Sequence, residues 1–226
     1  MATLTTRHCQ GALRAHFTED FAAPGGSWLI PPFCRSRLNP TGRIGAEFCA
    51  AYPEVEIEVV AEDRMVDLVE EQFDVAIRIN PSPDSNLVGR CFAKDRLVVV
   101  AAPQIPKPMP GAISAVPGIV TLTFQPTQWH LDDGQLVLEP IPKLRFSSLL
   151  MVRDAAVAGG GAALIPQSIA GTQLARGELV QWGTVSGAEP ALWVLHTSRR
   201  LAPPKVRVFV DFICARYPDL SLVLSG

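Results

Sequence analysis

Val55-Glu56-Ile57-Glu58-Val59 and, further on, Asp74-Val75-Ala76-Ile77-Arg78-Ile79 frame the stretch whose reading decides the fold. The first segment alternates apolar and acidic residues, the period of a strand with one face buried and the other wet. Between the two, Met65, Leu68, Val69 and Phe73 recur at helical spacing. Arg64 to Gln72 is therefore predicted to be an amphipathic helix, with Asp63 placed to cap its free N–H groups. The second segment is a short apolar strand. Strand, helix, strand within about 25 residues is a βαβ unit with parallel strands and a right-handed crossover, so an open α/β sheet is expected.

Upstream, Leu13, Ala15 and Phe17 alternate over a short strand, and Thr18-Glu19-Asp20 could begin a helix. From Trp28 to Tyr52 two short helical pieces are expected, broken by the turn signal Asn39-Pro40-Thr41-Gly42, the second piece running from Arg43 to Tyr52. Downstream, Arg96 to Ala102 holds the run Leu97-Val98-Val99-Val100, too apolar for a surface strand, so it belongs in a sheet covered on both faces and makes a natural lobe boundary. The five prolines from Pro103 to Pro117 predict a loop, with no helix or central strand.

Beyond that loop, strands are expected at Ile119 to Phe124, Gln135 to Leu138 and Lys143 to Phe146. Ser147 or Ser148 then caps a helix running to about Ala158. Gly159-Gly160-Gly161 ends it where a left-handed residue is needed, and Ala162 to Ile165 forms a short buried strand. Gln167 to Ala175 reads as a helix, Leu179 to Trp182 and Leu192 to His196 as strands. Pro203 or Pro204 starts a last helix in which Val206, Phe209, Val210 and Ile213 share one apolar face.

Composition narrows the function classes. The 226 residues are 48% hydrophobic and 19% charged, far from the signature of disorder and enough for one large domain or two compact lobes. A formal charge of -2 supplies no field to draw the chain onto a phosphate backbone. With no long apolar run and no signal-peptide pattern, a cytoplasmic protein without membrane contact is expected. Cys9, Cys34, Cys49, Cys91 and Cys214 are widely spaced without a C-x-x-C pair, and read as reduced packing thiols.

Three blocks resemble the regulatory domain of LysR-type transcriptional regulators. Asp63-Arg64-Met65-Val66-Asp67-Leu68-Val69-Glu70-Glu71-Gln72-Phe73-Asp74-Val75-Ala76-Ile77-Arg78 is similar to the family's D-x-x-V-D-L-V-x-x-G-x-D-V-A-I-R. Val152 to Pro166 resembles its helix, glycine turn and L-P strand, and Leu192 to Phe212 resembles its L-W-x-L-H-x-S-R ending. The resemblance implies an α/β, two-lobed fold of the type II periplasmic-binding-protein kind, each lobe a mixed sheet flanked by helices, joined by two crossing strands with an effector cleft between the lobes. Residues 1–100 and 196–226 would form lobe I and residues 101–195 lobe II. It further implies a small-molecule effector, allosteric control of transcription, a homodimer or higher homo-oligomer, and DNA contact only through an N-terminal winged helix-turn-helix that this chain does not contain.

In the resembled fold, strand ends and helix N-termini, whose unpaired N–H groups favour small anions, line the cleft. Thr18, Ser147 and Ser148 are candidate effector contacts on that ground, against ordinary capping. Thr123 and Phe124, at the end of a second-lobe strand, offer a hydroxyl and an apolar wall, and Asn80 follows a first-lobe strand; the alternatives are core packing for Phe124 and a turn for Asn80. Arg78 could hold a carboxylate bidentately or pair structurally with Asp74 or Glu62. Ala101, with Ala102, could let the backbone approach a ligand, or is plain core. No catalytic residue, cofactor or metal site is assigned: G-x-S-x-G, H-E-x-x-H and P-loop patterns are missing, and His8, His16, His130 and His196 lack ligand spacing. Arg199, Arg200, Lys205 and Arg207 read as a solvated turn and helix face. The rival reading is a solute-binding protein or an enzyme on the same fold.

Overall fold

The computed structural model describes residues 11–18, 40–61, 67–81, 86–122, 126–187, 189–197 and 202–222. The chain divides into two units. The first takes the described residues up to Lys94 together with Ala191–Ser221, and the second takes Asp95–Pro190.

The first unit is built on β1 (Gly11–Thr18), α1 (Pro40–Ala51), β2 (Val55–Ala61), β3 (Val75–Ile79) and β4 (Val88–Lys94). The second contains β5 (Leu97–Ala101), β6 (Ser114–Thr121), β7 (Trp129–Leu131), β8 (Leu136–Phe146), α2 (Leu149–Val157), β9 (Ala162–Pro166), α3 (Gln167–Ala175) and β10 (Val180–Thr184). The chain then returns to the first unit with β11 (Ala191–His196) and α4 (Pro204–Arg216).

The first sheet has the order β2-β1-β3-β11-β4. β1 is parallel to both β2 and β3, so the two strands of the expected βαβ unit do run parallel, with β1 inserted between them. β11 is antiparallel to β3 and β4, which makes the sheet mixed. The helix expected over Arg64 to Gln72 is described only from residue 67, and there the chain makes closing turns, not a continuous helix. Phe73 N–H donates to Leu68 O at 2.9 Å and Gln72 N–H to Val69 O at 3.3 Å, the paired bonds of a Schellman ending. Gln72 takes the left-handed position of that motif, at φ 57°. Leu68 and Phe73 are buried as the periodicity predicts, but Val69 is 71% exposed, because the chain leaves the helical path before its side chain is covered. Asp63 lies outside the described residues.

Pro40, Thr41 and Gly42, expected to lie in a break, instead form the first turn of α1, since the fixed φ of proline suits a helix start. Phe48 of α1 is fully buried. It packs edge-on against Phe209 and Phe212 of α4, with ring centroids 5.2 Å apart in both cases. The predicted apolar face of α4, Val206, Phe209, Val210 and Ile213, is buried throughout.

The second sheet has the order β10-β5-β9-β6-β8-β7. β5 is buried along its whole length, as its uniform apolarity requires. Alternate residues face two separate cores. Val98 and Val100 pack with Ile119, Val152, Ile165 and Leu179, while Val99 and Ala101 pack with Trp129, Leu131, Leu138 and Trp182. Because β5 pairs with β9 and β10 and β11 pairs with β3 and β4, the division falls at Lys94/Asp95 and Pro190/Ala191. The expected division lay at 100/101 and 195/196.

Two expectations fail at prolines in this sheet. Pro117 sits inside β6, a central strand, although prolines were expected to bar one there. It is accommodated because β6 pairs with β9 only through Gly118 and Ile119, and the β6–β8 register shifts at the same place. The segments Gln135 to Leu138 and Lys143 to Phe146 form one strand, β8, carrying Pro140 and Pro142. β7 pairs with β8 only as far as Leu138, so Pro140 and Pro142 have a partner strand on one side only, β6, an edge position of the kind that tolerates proline.

Candidate functional site

The candidate residues gather at strand ends. In the first unit Thr18 is the last residue of β1, in register with Arg78 of β3, and Asn80 follows directly. All three stand at the carboxyl ends of adjacent parallel strands, where open α/β sheets bind ligands. Arg78 is 5% exposed and lies between Thr18 and Trp193 in register. Of the ion pairs considered for it, Asp74 is engaged elsewhere and Glu62 lies outside the described residues. Asn80 adopts φ 45°, a left-handed turn that asparagine tolerates. Its Oδ1 accepts Ala191 N–H at 2.9 Å, and its own N–H donates to Ala191 O at 2.9 Å. The turn reading for Asn80 is therefore realised, with the side chain locking it to β11.

In the second unit β6 and β8 are parallel and end together, with Thr121 opposite Phe146. Ser147 and Ser148 follow at that end. Ser148 is the N-cap of α2, its hydroxyl accepting Leu150 N–H at 3.3 Å, and is 4% exposed; Ser147 is exposed. Thr123 and Phe124 lie outside the described residues. Ala101 is not brought to this end. β5 runs antiparallel to β9 and β9 parallel to β6, so the carboxyl end of β5 is at the opposite end of the sheet, where Ala101 is fully buried among tryptophans and leucines.

The start of β5 reaches the serine end instead, and it carries a residue that the sequence reading missed. Asp95 is 5% exposed. Its Oδ2 accepts the Ser168 hydroxyl at 2.6 Å, and its Oδ1 accepts Arg96 N–H at 2.7 Å and Ser168 N–H at 3.3 Å. Burial pushes its carboxyl group above the ordinary aspartate range, against the opposing effect of these hydrogen bonds. The reason for the arrangement is local. α3 begins after Pro166, whose side chain makes no cap bond, so the free N–H groups of the first turn need an acceptor from elsewhere. The N-terminus of α3 is thereby occupied by an internal carboxylate, whereas the N-cap of α2 is a neutral serine.

Lys205, read from sequence as part of a solvated helix face, is a tie within the first unit. Its Nζ donates to Ala12 O and to Asp74 Oδ2, both at 2.7 Å. Asp74 Oδ2 also accepts Arg14 N–H at 2.9 Å. The cause is the proximity of α4 to the start of β1, which no local pattern records. Arg207 is exposed, and Arg199 and Arg200 lie outside the described residues. His196, half-buried at the end of β11, has its pKa lowered by burial. Among the described residues no group of three or more His, Cys, Asp or Glu could hold a metal ion, and Cys49, Cys91 and Cys214 are free thiols. No helix among them is long and apolar enough to cross a membrane.

Against known proteins, residues 39–218 match the family model described as LysR substrate binding domain. The transcriptional regulator DmlR of Escherichia coli is 29% identical over 186 residues, covering 76% of this chain and 60% of that protein. PtxR of Pseudomonas aeruginosa is 25% identical over 187 residues, covering 74% of this chain and 57% of that protein. The chain thus spans well under two thirds of the length of these two bacterial relatives. Among solved structures, the regulatory domain of CrgA from Neisseria meningitidis superposes with a TM-score of 0.72 at 20% identity, covering 92% of this chain and 99% of that chain. The regulatory domain of AphB from Vibrio vulnificus gives 0.66 at 21%, covering 92% and 98%. The mixed α/β architecture with two sheets is that of these periplasmic-binding-protein-like regulatory domains. The chain belongs to the LysR substrate-binding domain family.

Proposed function

We propose that this chain is the effector-sensing domain of a LysR-type transcriptional regulator of the bacterial cytoplasm, binding a small molecule and holding copies of the regulator together as a homodimer or larger homo-oligomer. The observation that carries the reading is the match to whole regulatory domains of such regulators, with 99% of the CrgA domain covered. DNA is contacted through another part of the regulator, in keeping with the net charge of -2 of this chain, which gives no electrostatic footprint for phosphates.

The candidate effector contacts are Thr18, Arg78 and Asn80 of the first unit and Ser147 and Ser148 of the second, together with Thr123 and Phe124. Ala101 contributes only if its core opens. An effector changes output by preferring one of two conformations, and it shifts their balance by no more than that difference in affinity. The reading is of a sensor, not a catalyst, and turnover of a bound compound would reverse it.

A thermal-shift screen tests this directly. The purified chain is heated with small carboxylates, aromatic acids, amino acids, amines or sugars. A ligand at a hundred times its Kd stabilises the native state by about 2.7 kcal/mol, so one chemical class should raise the midpoint in a dose-dependent way. No rise for any class would overturn the sensing part of the proposal. Sedimentation velocity of the same sample should show a dimer or larger species at micromolar concentration, and a monomer would overturn the association part.

A further inference from the structure

The proline run after β5 belongs neither to the sheet of the second unit nor to the candidate effector contacts. Between β5 and β6 the chain reads Ile105-Pro106-Lys107-Pro108-Met109-Pro110, and each of these residues is a proline or precedes one. Proline fixes its own φ, and its ring bars the residue before it from the helical region. The segment is thus held extended by its covalent geometry, as a polyproline II helix of about three residues per turn and about 19 Å in length. Burial follows that period. Ile105 and Pro108 are half-buried, whereas Pro106, Lys107, Met109 and Pro110 are exposed, Met109 to 82%. Ile105 packs on the cluster around Val99 and Trp182, so one ridge rests on the body of the unit and the other two face outward. Among the described residues no backbone hydrogen bond ties residues 106–111 to a neighbouring strand, which leaves their carbonyls as free acceptors.

A segment that is extended before it binds has little conformational entropy left to lose, which suits proline-rich ligands to grooves walled by aromatic rings. The charge adds a second element of recognition. From Leu97 to Trp129 the only charged residue is Lys107, and it shares an outward ridge with Pro110, beside the ridge of Pro106 and Met109. We infer that residues 105–110 are a docking ligand for a different protein, one whose groove offers aromatic walls to Pro106, Met109 and Pro110 and a carboxylate to Lys107. The thioether of Met109 is polarizable and makes favourable contacts with aromatic rings, and the single off-centre charge gives the segment a direction along the groove. A second copy of this chain is a poor occupant, because the exposed large apolar residues among the described ones are valine, leucine, isoleucine and methionine, with no aromatic ring among them. The docking does not depend on an effector.

Site-specific photo-crosslinking followed by titration tests the proposal. A photoreactive amino acid replaces Met109 in the full chain, expressed in its native host, and replaces Val180, an exposed residue of β10, as the control. A protein captured at position 109 and not at position 180 is identified, purified and titrated by calorimetry against the native chain and its variants. The Kd should rise about tenfold for Pro106→Ala and for Lys107→Glu and stay within about twofold for Lys107→Arg, with the thermal midpoint of each variant unchanged. Lys107→Glu keeps every proline, so it separates loss of a contact from loss of backbone shape. Failure to capture a protein at position 109 would overturn the proposal. Capture of a second copy of this chain would do the same, as would a captured protein whose affinity is indifferent to both Pro106→Ala and Lys107→Glu.

Discussion

Both units rest on apolar burial, and they differ in how the core is laid out and where a polar tie is added. In the second, β5 is sealed on both faces, with one apolar cluster around Val98, Val100 and Ile165 and another around Val99, Trp129 and Trp182. In the first, Leu13, Phe48, Ile77, Phe209 and Ile213 are buried beside the cluster of Leu68, Phe73, Ala76 and Leu195, and a polar tie is added at the margin of the sheet, where Lys205, Asp74 and the backbone of Arg14 meet. Apolar burial is non-directional and spread over many contacts. Polar ties depend on a few geometries and fail singly. The comparison teaches that in either unit a core truncation should be felt across the sheet, while the loss of a polar tie should loosen it locally.

The largest test of this contrast is Trp182→Ala. Trp182 is 2% exposed, and truncating a buried tryptophan costs about 3–5 kcal/mol. Hydrogen exchange should accelerate across β5, β9 and β10 together while β1 and β3 stay protected; protection lost equally in both units would break the comparison. Asp74→Ala comes next. It removes the shared acceptor of Lys205 and Arg14 and should cost about 1–3 kcal/mol in urea denaturation, with exchange raised chiefly at Arg14 and its neighbours. A change below the error of the measurement would mean that water replaces the carboxylate and that the tie is ornamental.

The smallest effect has the opposite sign. Gln72 occupies a left-handed position that costs an L-residue about 1–2 kcal/mol, part of which glycine recovers before its larger entropy loss is counted. Gln72→Gly should therefore stabilise the first unit by up to about 1 kcal/mol. A destabilised variant would show that the glutamine side chain contributes packing that outweighs the strain.

What could be read from sequence was whatever is decided within a few neighbours. The buried run Leu97 to Val100, the helix Gln167–Ala175 and the apolar face of α4 carry their environment in their spacing, and the structure places them as expected. The cap at Ser148 was legible for the same reason. Two readings failed at prolines, because a local preference says nothing about how neighbouring strands pair, and Pro117 and Pro140 stand where pairing is brief or one-sided. Asp95 was missed and Lys205 misread for a different reason. Their partners, Ser168 and Asp74, are separated from them by 73 and 131 positions, and only the folded chain brings them together. Ala101 shows the limit of a family-based expectation: the strand was placed correctly, but its direction puts that residue at the far end of the sheet from Ser147 and Ser148.

Pro140 and Pro142 have a consequence beyond the fold of one molecule. Among the described residues nothing pairs with the outer side of β8 past Leu138, and an open strand edge is a template on which another chain can grow. With two residues that cannot donate, and Glu139, Lys143 and Arg145 between and beside them, that edge cannot extend a ladder. The same prolines that obscure the strand in the sequence make it a terminus for sheet growth, which guards this edge against runaway aggregation.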